Sequence, residues 1–143
     1  TGVAIFDNEG RVLLVKSGKP ERKNPWGLPG GLLDLGERLA DGAVREVWEE
    51  CQVEIDLGDV IHIFEYVDWD EEGNVEYQFI VIDYWAAWRS GEPVPGDDTV
   101  ETAWCAMGDL DQYNLIPASH EAIGKAHAAW RAGANKGRTN GAG

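Results

Sequence analysis

Between Gly31 and Glu50 the chain reads GLLDLGERLADGAVREVWEE and carries six acidic residues against two arginines. Three of the acids, Glu46, Glu49 and Glu50, stand at i, i+3 and i+4, so on a helix they project from one side. Like charges at those spacings oppose helix formation by roughly 0.2–0.5 kcal/mol per pair. Arg45, four residues before Glu49, can offset part of that repulsion. Leu39, Ala43 and Val47 recur on the opposite side as a buried stripe, so the acids cannot rotate away from each other. Hard oxygen ligands converging on one spot are what Mg²⁺ or Mn²⁺ requires. Glu37, just before the helix, could add a fourth carboxylate. The competing reading is a solvated acidic face, the ordinary fate of a charge run.

The elements that would position these groups are mostly strands. GVAIF and RVLLVK flank the turn DNEG and read as a hairpin. A loop rich in Gly, Pro and basic residues, SGKPERKNPWGLPGG, leads into a helix from about Arg38 to Cys51. Two long aromatic and β-branched strands, VIHIFEYV and VEYQFIVIDYWAAW, surround the turn DWDEEGN. A further strand, TVETAWCAM, follows the loop SGEPVPGDD. The segment PASHEAIGKAHAAWRAG reads as a helix, capped by Ser119, with Ile123, Ala126 and Trp130 on one face. Two helices need a sheet to cover, which makes the fold a layered α/β one. Residues 1–132 read as a single domain and 133–143 as a mobile terminus with little to bury.

Composition narrows the chemistry. At 143 residues, the chain can bury one core, and no apolar run is long enough to span a bilayer. A formal charge of −14 argues against duplex nucleic acid, which demands a basic footprint. It leaves small phosphorylated substrates open, because a bound divalent cation reverses the local sign. Cys51 and Cys105 have no disulfide or metal spacing and read as small hydrophobes, consistent with a reducing cytoplasm. His62, His120 and His127 lack metal-like spacing and read as ordinary surface or strand residues.

Gly31, five residues, Glu37, seven residues, then Arg45-Glu46-Val47-Trp48-Glu49-Glu50 resembles the Nudix box, here spanning residues 31–53. The lead-in WGLPGG, the GEP loop and the Glu101…Trp104 pair are similar too, so the likeness runs roughly from Gly2 to Trp130. The resemblance implies an α/β/α sandwich with a mixed central sheet and a hydrolase of nucleoside diphosphates linked to another moiety. It assigns Mg²⁺ or Mn²⁺ to Glu46, Glu49 and Glu50, with the Gly30 carbonyl, and makes Arg45 the group that holds Glu49. Glu37 would assist through a bound water. The general base is either Glu46 or an acid of a later loop, for which Asp97, Asp98 and Glu101 are the candidates. Each of those has an equally plausible structural role, as turn residues or as a salt bridge. Two departures concern helix ends: Gln52 stands where the family usually has Gly, and Arg38 replaces a small hydroxyl residue.

Substrate contacts are less sharply marked. Five of the twelve basic residues lie between Arg11 and Lys23. Lys16, at a strand end, is the better phosphate contact, whereas Lys19, Arg22 and Lys23 read as a solvated loop. Gly31 permits close backbone approach to a diphosphate, and Trp26 lies beside the site although core packing also explains it. Tyr66, Trp69, Tyr77, Phe79, Tyr84, Trp85 and Trp88 crowd the long hairpin, with core packing expected for any single one. Among relatives the likeness is to bacterial ADP-ribose pyrophosphatase-like and antimutator members. ADP-ribose or a similar nucleoside diphosphate derivative is the leading expectation, followed by a nucleoside triphosphate, oxidised ones included. Asp68 and Trp69 occupy the place where the former often carry a proline. A non-catalytic nucleotide sensor is the alternative of a different class, and exposed hairpins in such folds allow a homodimer.

Overall fold

β1 (Gly2–Phe6) and β2 (Val12–Ser17) form the expected antiparallel hairpin. Asp7 fixes its turn: the carboxylate accepts the backbone N–H of Glu9 at 3.0 Å and of Arg11 at 2.9 Å. The chain is seen here in a computed structural model that describes the backbone of residues 1–142 and the side chains of residues 1–133. The terminus expected to be mobile, 133–143, thus falls almost wholly outside the described side chains.

Strands β3 (Trp26–Gly27), β4 (Glu54–Trp69), β5 (Val75–Ser90) and β6 (Thr99–Cys105) complete one sheet. Its order is β3-β2-β1-β5-β4, with β6 on the other edge of β2. β1 runs parallel to β5, from Gly2↔Asp83 to Phe6↔Ala87, and the other pairings are antiparallel, so the sheet is mixed as expected. Alternation then sends side chains to both faces. Val3 and Ile5 join Leu13, Ala43, Val47 and Cys51 beneath helix α1 (Leu39–Cys51). Ala4 and Phe6 join Leu14, Cys105, Ile123 and Ala126 beneath helix α2 (Pro117–Ala142). A β1 buried on both faces explains its unbroken apolar run. Among the described residues no helix is long and apolar enough to cross a membrane.

Sequence reading erred at two places here. Tyr66, Trp69, Tyr77 and Phe79 are exposed, not packed in the core. β1 covers β5 only from Asp83 onward, so residues 63–82 continue as a two-stranded ribbon past the sheet, where alternation no longer means one buried face. Tyr84, Trp85 and Trp88, inside the sheet, do pack on the two cores. Ser119 is likewise no cap. The helix starts at Pro117, a residue suited to the first helical position, and the Ile116 carbonyl accepts the N–H groups of Ser119 and His120.

The departures at the ends of α1 have structural outcomes. Arg38 makes no side-chain cap hydrogen bond. Gln52 adopts the left-handed conformation, φ 56°, ψ 37°, while its N–H donates to the Trp48 carbonyl. A Cβ is disfavoured in that region by about 1–2 kcal/mol. Gln52→Gly is therefore expected to raise unfolding free energy by about 1 kcal/mol, after allowing for glycine's larger entropy loss. A urea titration with unchanged slope and a higher midpoint checks this; a lower midpoint contradicts it.

Candidate active site

Helix α1 presents its acids on the side opposite the Ala43–Val47–Cys51 stripe, and Arg45 gathers them. Its Nε donates to Glu37 Oε2 at 2.8 Å, and its two terminal nitrogens donate to Glu37 Oε1 (3.0 Å), Glu46 (2.8 Å), Glu49 (2.9 Å) and the Leu32 carbonyl (3.0 Å). These five bonds use the full donor complement of a guanidinium. The pairing with Glu37, then Glu46, then Glu49 drives the Arg45 pKa higher still, and Arg45 in turn holds Glu37 below the usual carboxylate range. Glu37 also accepts the Asp34 N–H at 3.1 Å, tying the box loop to the helix.

Glu50 stands apart. One of its oxygens accepts the Gly30 N–H at 3.1 Å. Burial pushes its pKa up to about 7, and the negative charges of Glu46 and Asp98 push the same way. Gly31 lies against them: a Cβ there would sit 2.3 Å from Glu46 Oε2 and would push that carboxylate aside. A Cβ on Gly30 would strike the Thr1 carbonyl oxygen at 1.9 Å. Glycines thus let the Leu28–Gly31 turn lie flat against the acidic side of α1.

The later loop proves to be part of the frame. N–H groups of Val94, Gly96 and Asp97 donate to the carbonyls of Cys51, Glu50 and Glu49, and Thr99 Oγ1 donates to Glu50 O at 2.9 Å. These are the carbonyls a helix leaves unpaired at its C-terminus. A Cβ on Gly96 would sit 1.9 Å from the Glu49 oxygen. Gly96→Ala is expected to cost about 1–3 kcal/mol of stability, the usual range for forced overpacking. Thermal melts against the parent chain test this, and an unchanged melting temperature would contradict the locked contact. Asp98 sits in this loop with φ 58°, its carbonyl accepting the Gly18 N–H at 2.9 Å. Glu101 pairs with Lys16 at 3.2 Å across β2 and β6, the salt bridge that was one of its two expected roles. Trp26 packs edge-on against Tyr113, ring centroids 4.9 Å apart, on the α2 side.

The structure pairs Arg45 with Glu49, the contact expected from their spacing, and adds Glu37 and Glu46 to the same guanidinium and Glu50 to the Gly30 N–H. It does not bring the three helix acids to a point. Among the described residues no three His, Cys, Asp or Glu side chains are arranged to hold an ion, because Glu46 and Glu49 turn onto Arg45. The donor set nevertheless suits a hard divalent cation. Its acids are hard oxygen donors, and burial, with the negative charges of Glu46 and Asp98 nearby, makes charge on Glu50 costly. Sequence reasoning missed two features: the capping of α1 by residues 94–99 and the burial of His62. Only the first had a visible signal, Gly96 flanked by Pro95 and Asp97.

A mixed sheet between two helices, with this acid cluster against a Gly-Gly turn, defines a hydrolase class. The chain belongs to the Nudix family: the model of the NUDIX domain matches residues 1–126. An ADP-ribose pyrophosphatase of Methanocaldococcus jannaschii is 27% identical over 129 residues, 90% of this chain and 72% of that protein. The nucleoside triphosphatase NudI of Escherichia fergusonii is also 27% identical over 129 residues, covering 83% of this chain and 89% of its own. Other curated relatives match over shorter stretches, such as one from Mus musculus, nucleoside diphosphate-linked moiety X motif 6, 43% identical over 60 residues, 42% of this chain and 19% of its own length. Among solved structures, a MutT Nudix hydrolase from Burkholderia pseudomallei superposes with a TM-score of 0.67 and 28% identity, covering 87% of this chain and 96% of that one.

Proposed function

We propose that this Nudix hydrolase uses Mg²⁺ or Mn²⁺ to hydrolyse a phosphoanhydride in a nucleoside diphosphate derivative, ADP-ribose first among them, releasing a nucleoside monophosphate. The observation that carries this reading is the excess of acid over base at one spot, where Glu37, Glu46 and Glu49 share one arginine and Glu50 is charged only at a cost. Such a cluster is matched to a ligand that brings positive charge. Glu46, Glu49 and Glu50 would hold the cation, Glu46 and Glu49 exchanging Arg45 for it. When bound, the cation supplies neutralisation of the bridging phosphates and a more acidic water.

The remaining work falls to this chain's own groups. Gly30 and Gly31 admit the diphosphate close to the backbone. Glu37 anchors Arg45 through two hydrogen bonds, which keeps the guanidinium beside the site once Glu46 and Glu49 have turned to the cation. Glu46 takes the proton of the attacking water at a carboxylate oxygen, which lies against the Gly31 turn and is largely screened from solvent. Asp98 and Glu101 are placed less well for that role. Asp98 belongs to a loop pinned to the end of α1, and Glu101 is engaged with Lys16.

The second reading, a nucleoside triphosphate pyrophosphatase, is favoured by the likeness to NudI. A hydrolysis panel of ADP-ribose, sugar nucleotides, dinucleoside polyphosphates and ordinary and oxidised triphosphates, each with Mg²⁺ and with Mn²⁺, separates the two. Preferred release of a nucleoside monophosphate from ADP-ribose supports the first. Release of pyrophosphate from a triphosphate supports the second, and no turnover on any substrate overturns both.

A further inference from the structure

The outer edge of the sheet belongs to β4, which pairs with β5 on one side alone. Bulges break its register between Leu57 and His62 and again at Asp68/Trp69. Between them the pairing is regular, running from Ile63↔Ile82 to Asp68↔Tyr77. Among the described residues no backbone group outside β5 bonds to residues 63–68. Proteins usually blunt such an edge with Lys, Pro or further bulges, because its bare N–H and C=O groups are a template for another strand. The stretch IFEYVD uses none of these, and its only charges are Glu65 and Asp68.

Cross-strand pairing places Ile63, Glu65 and Ile80 on one face of the ribbon and Tyr66, Phe79 and Tyr77 on the other. Ile63 is 61% exposed, Ile80 69% and Tyr77 53%. Tyr66, Trp69, Tyr77 and Phe79 alone leave roughly 400 Å² of ring surface uncovered, at 150–250 Å² for a whole aromatic side chain. With the two isoleucines added, the ribbon exposes more apolar surface than a chain without a partner there normally does. A partner lying on one face would leave the other bare. A strand added along β4 touches both, because its own side chains alternate.

The surrounding charge selects the partner. Glu65, Asp68, Asp70, Glu71, Glu72 and Glu76 lie on the ribbon and its turn, and no Lys or Arg occurs from Gln52 to Trp88. A second copy therefore fits poorly. No register of β4 on β4 makes an ion pair with Lys or Arg, and like charges set opposite each other oppose pairing. A basic strand instead gains at Glu65 and Asp68, and its Arg side chains can lie on the Tyr66 ring.

We infer that the outer edge of β4 at residues 63–68 docks a basic, extended segment of another protein, added to the sheet as a further strand. The test needs no turnover, so it stands apart from the proposed hydrolysis. Three blocked seven-residue peptides are titrated into the full chain: alternating arginine and valine, the same with glutamate for arginine, and the arginine peptide with its backbone amides N-methylated. Binding and amide hydrogen exchange are followed by NMR. The arginine peptide should bind at least about tenfold more tightly than the glutamate peptide, which meets like charge, and than the methylated one, which cannot pair. At ten times its dissociation constant, the outward amides of residues 63–68 should exchange about tenfold more slowly. Added salt should weaken the binding, since the ion pairs lie at the surface. Glu65→Lys, a change at an exposed side chain, should remove most of the preference for arginine over glutamate, with its melting transition as the control for folding. Equal binding of the three peptides, unslowed exchange at 63–68, or a preference that survives Glu65→Lys overturns the inference. So does sedimentation of the peptide-free chain as a dimer with those amides already protected, which would give the edge to a second copy.

Discussion

Glu50→Gln is expected to lower kcat on a nucleotide substrate by about 10²–10³-fold and yet to raise the melting temperature of the metal-free protein at pH 8. The activity loss follows from removing one charged oxygen from the cation's ligand set, where several kcal/mol of charge stabilisation are at stake and each 1.36 kcal/mol is a factor of ten. Stability moves the other way because of linkage. An ordinary glutamate titrates near 4.5, whereas burial lifts Glu50 to about 7 in the fold. A group whose folded pKa is raised favours the native state fully below about 4.5 and loses that contribution as pH climbs through 7. The amide carries no charge to desolvate, and its oxygen can still accept the Gly30 N–H. The variant's advantage should therefore vanish near pH 4 and grow toward pH 8, read by melts across that range. Mg²⁺ should stabilise the parent more than the variant, since the variant offers the cation one charged ligand fewer. An active Glu50→Gln protein would remove Glu50 from the cation's ligands.

These contrasts also show which parts of the molecule were legible from sequence. The box spacing put Arg45 one helix turn before Glu49, where the two pair, because that contact is local geometry, whereas the bonds from Arg45 to Glu37 were not among the expectations. Gln52 stands where the box usually has Gly, and of the two outcomes open to it, a left-handed turn or a different helix end, it takes the left-handed turn. What else escaped reading depends on partners distant in the chain. Residues 94–99 look like a free acidic turn until α1 is placed under them and offers unpaired carbonyls. Tyr66 and Phe79 alternate like core residues, and only the short reach of β1 along β5 leaves them bare. His62 carries no local sign of burial; α2, some sixty residues later, covers it. The spacing rule that puts Glu46, Glu49 and Glu50 on one side holds, but it does not say which acids Arg45 will claim first.

Arg45→Lys should cost activity almost as heavily as losing a ligand, about 10–100-fold in kcat, the range found when a group orienting metal ligands is removed. Lysine keeps the charge but has three donors and no planar fork, so it cannot serve Glu37, Glu46, Glu49 and the Leu32 carbonyl together. The acids it releases then repel one another across one helix turn, and the melting temperature should fall. Two further readouts distinguish a positioning role from simple loss of packing. Salt screens repulsion between partly exposed charges, so the deficit in melting temperature should narrow between low and high ionic strength. Mg²⁺ should stabilise Arg45→Lys by more degrees than it stabilises the parent, because in the parent the cation must first displace a fully engaged guanidinium from Glu46 and Glu49. Equal stabilisation of both proteins would mean that Arg45 and the cation do not compete for the same carboxylates, and the cation would then have to bind elsewhere.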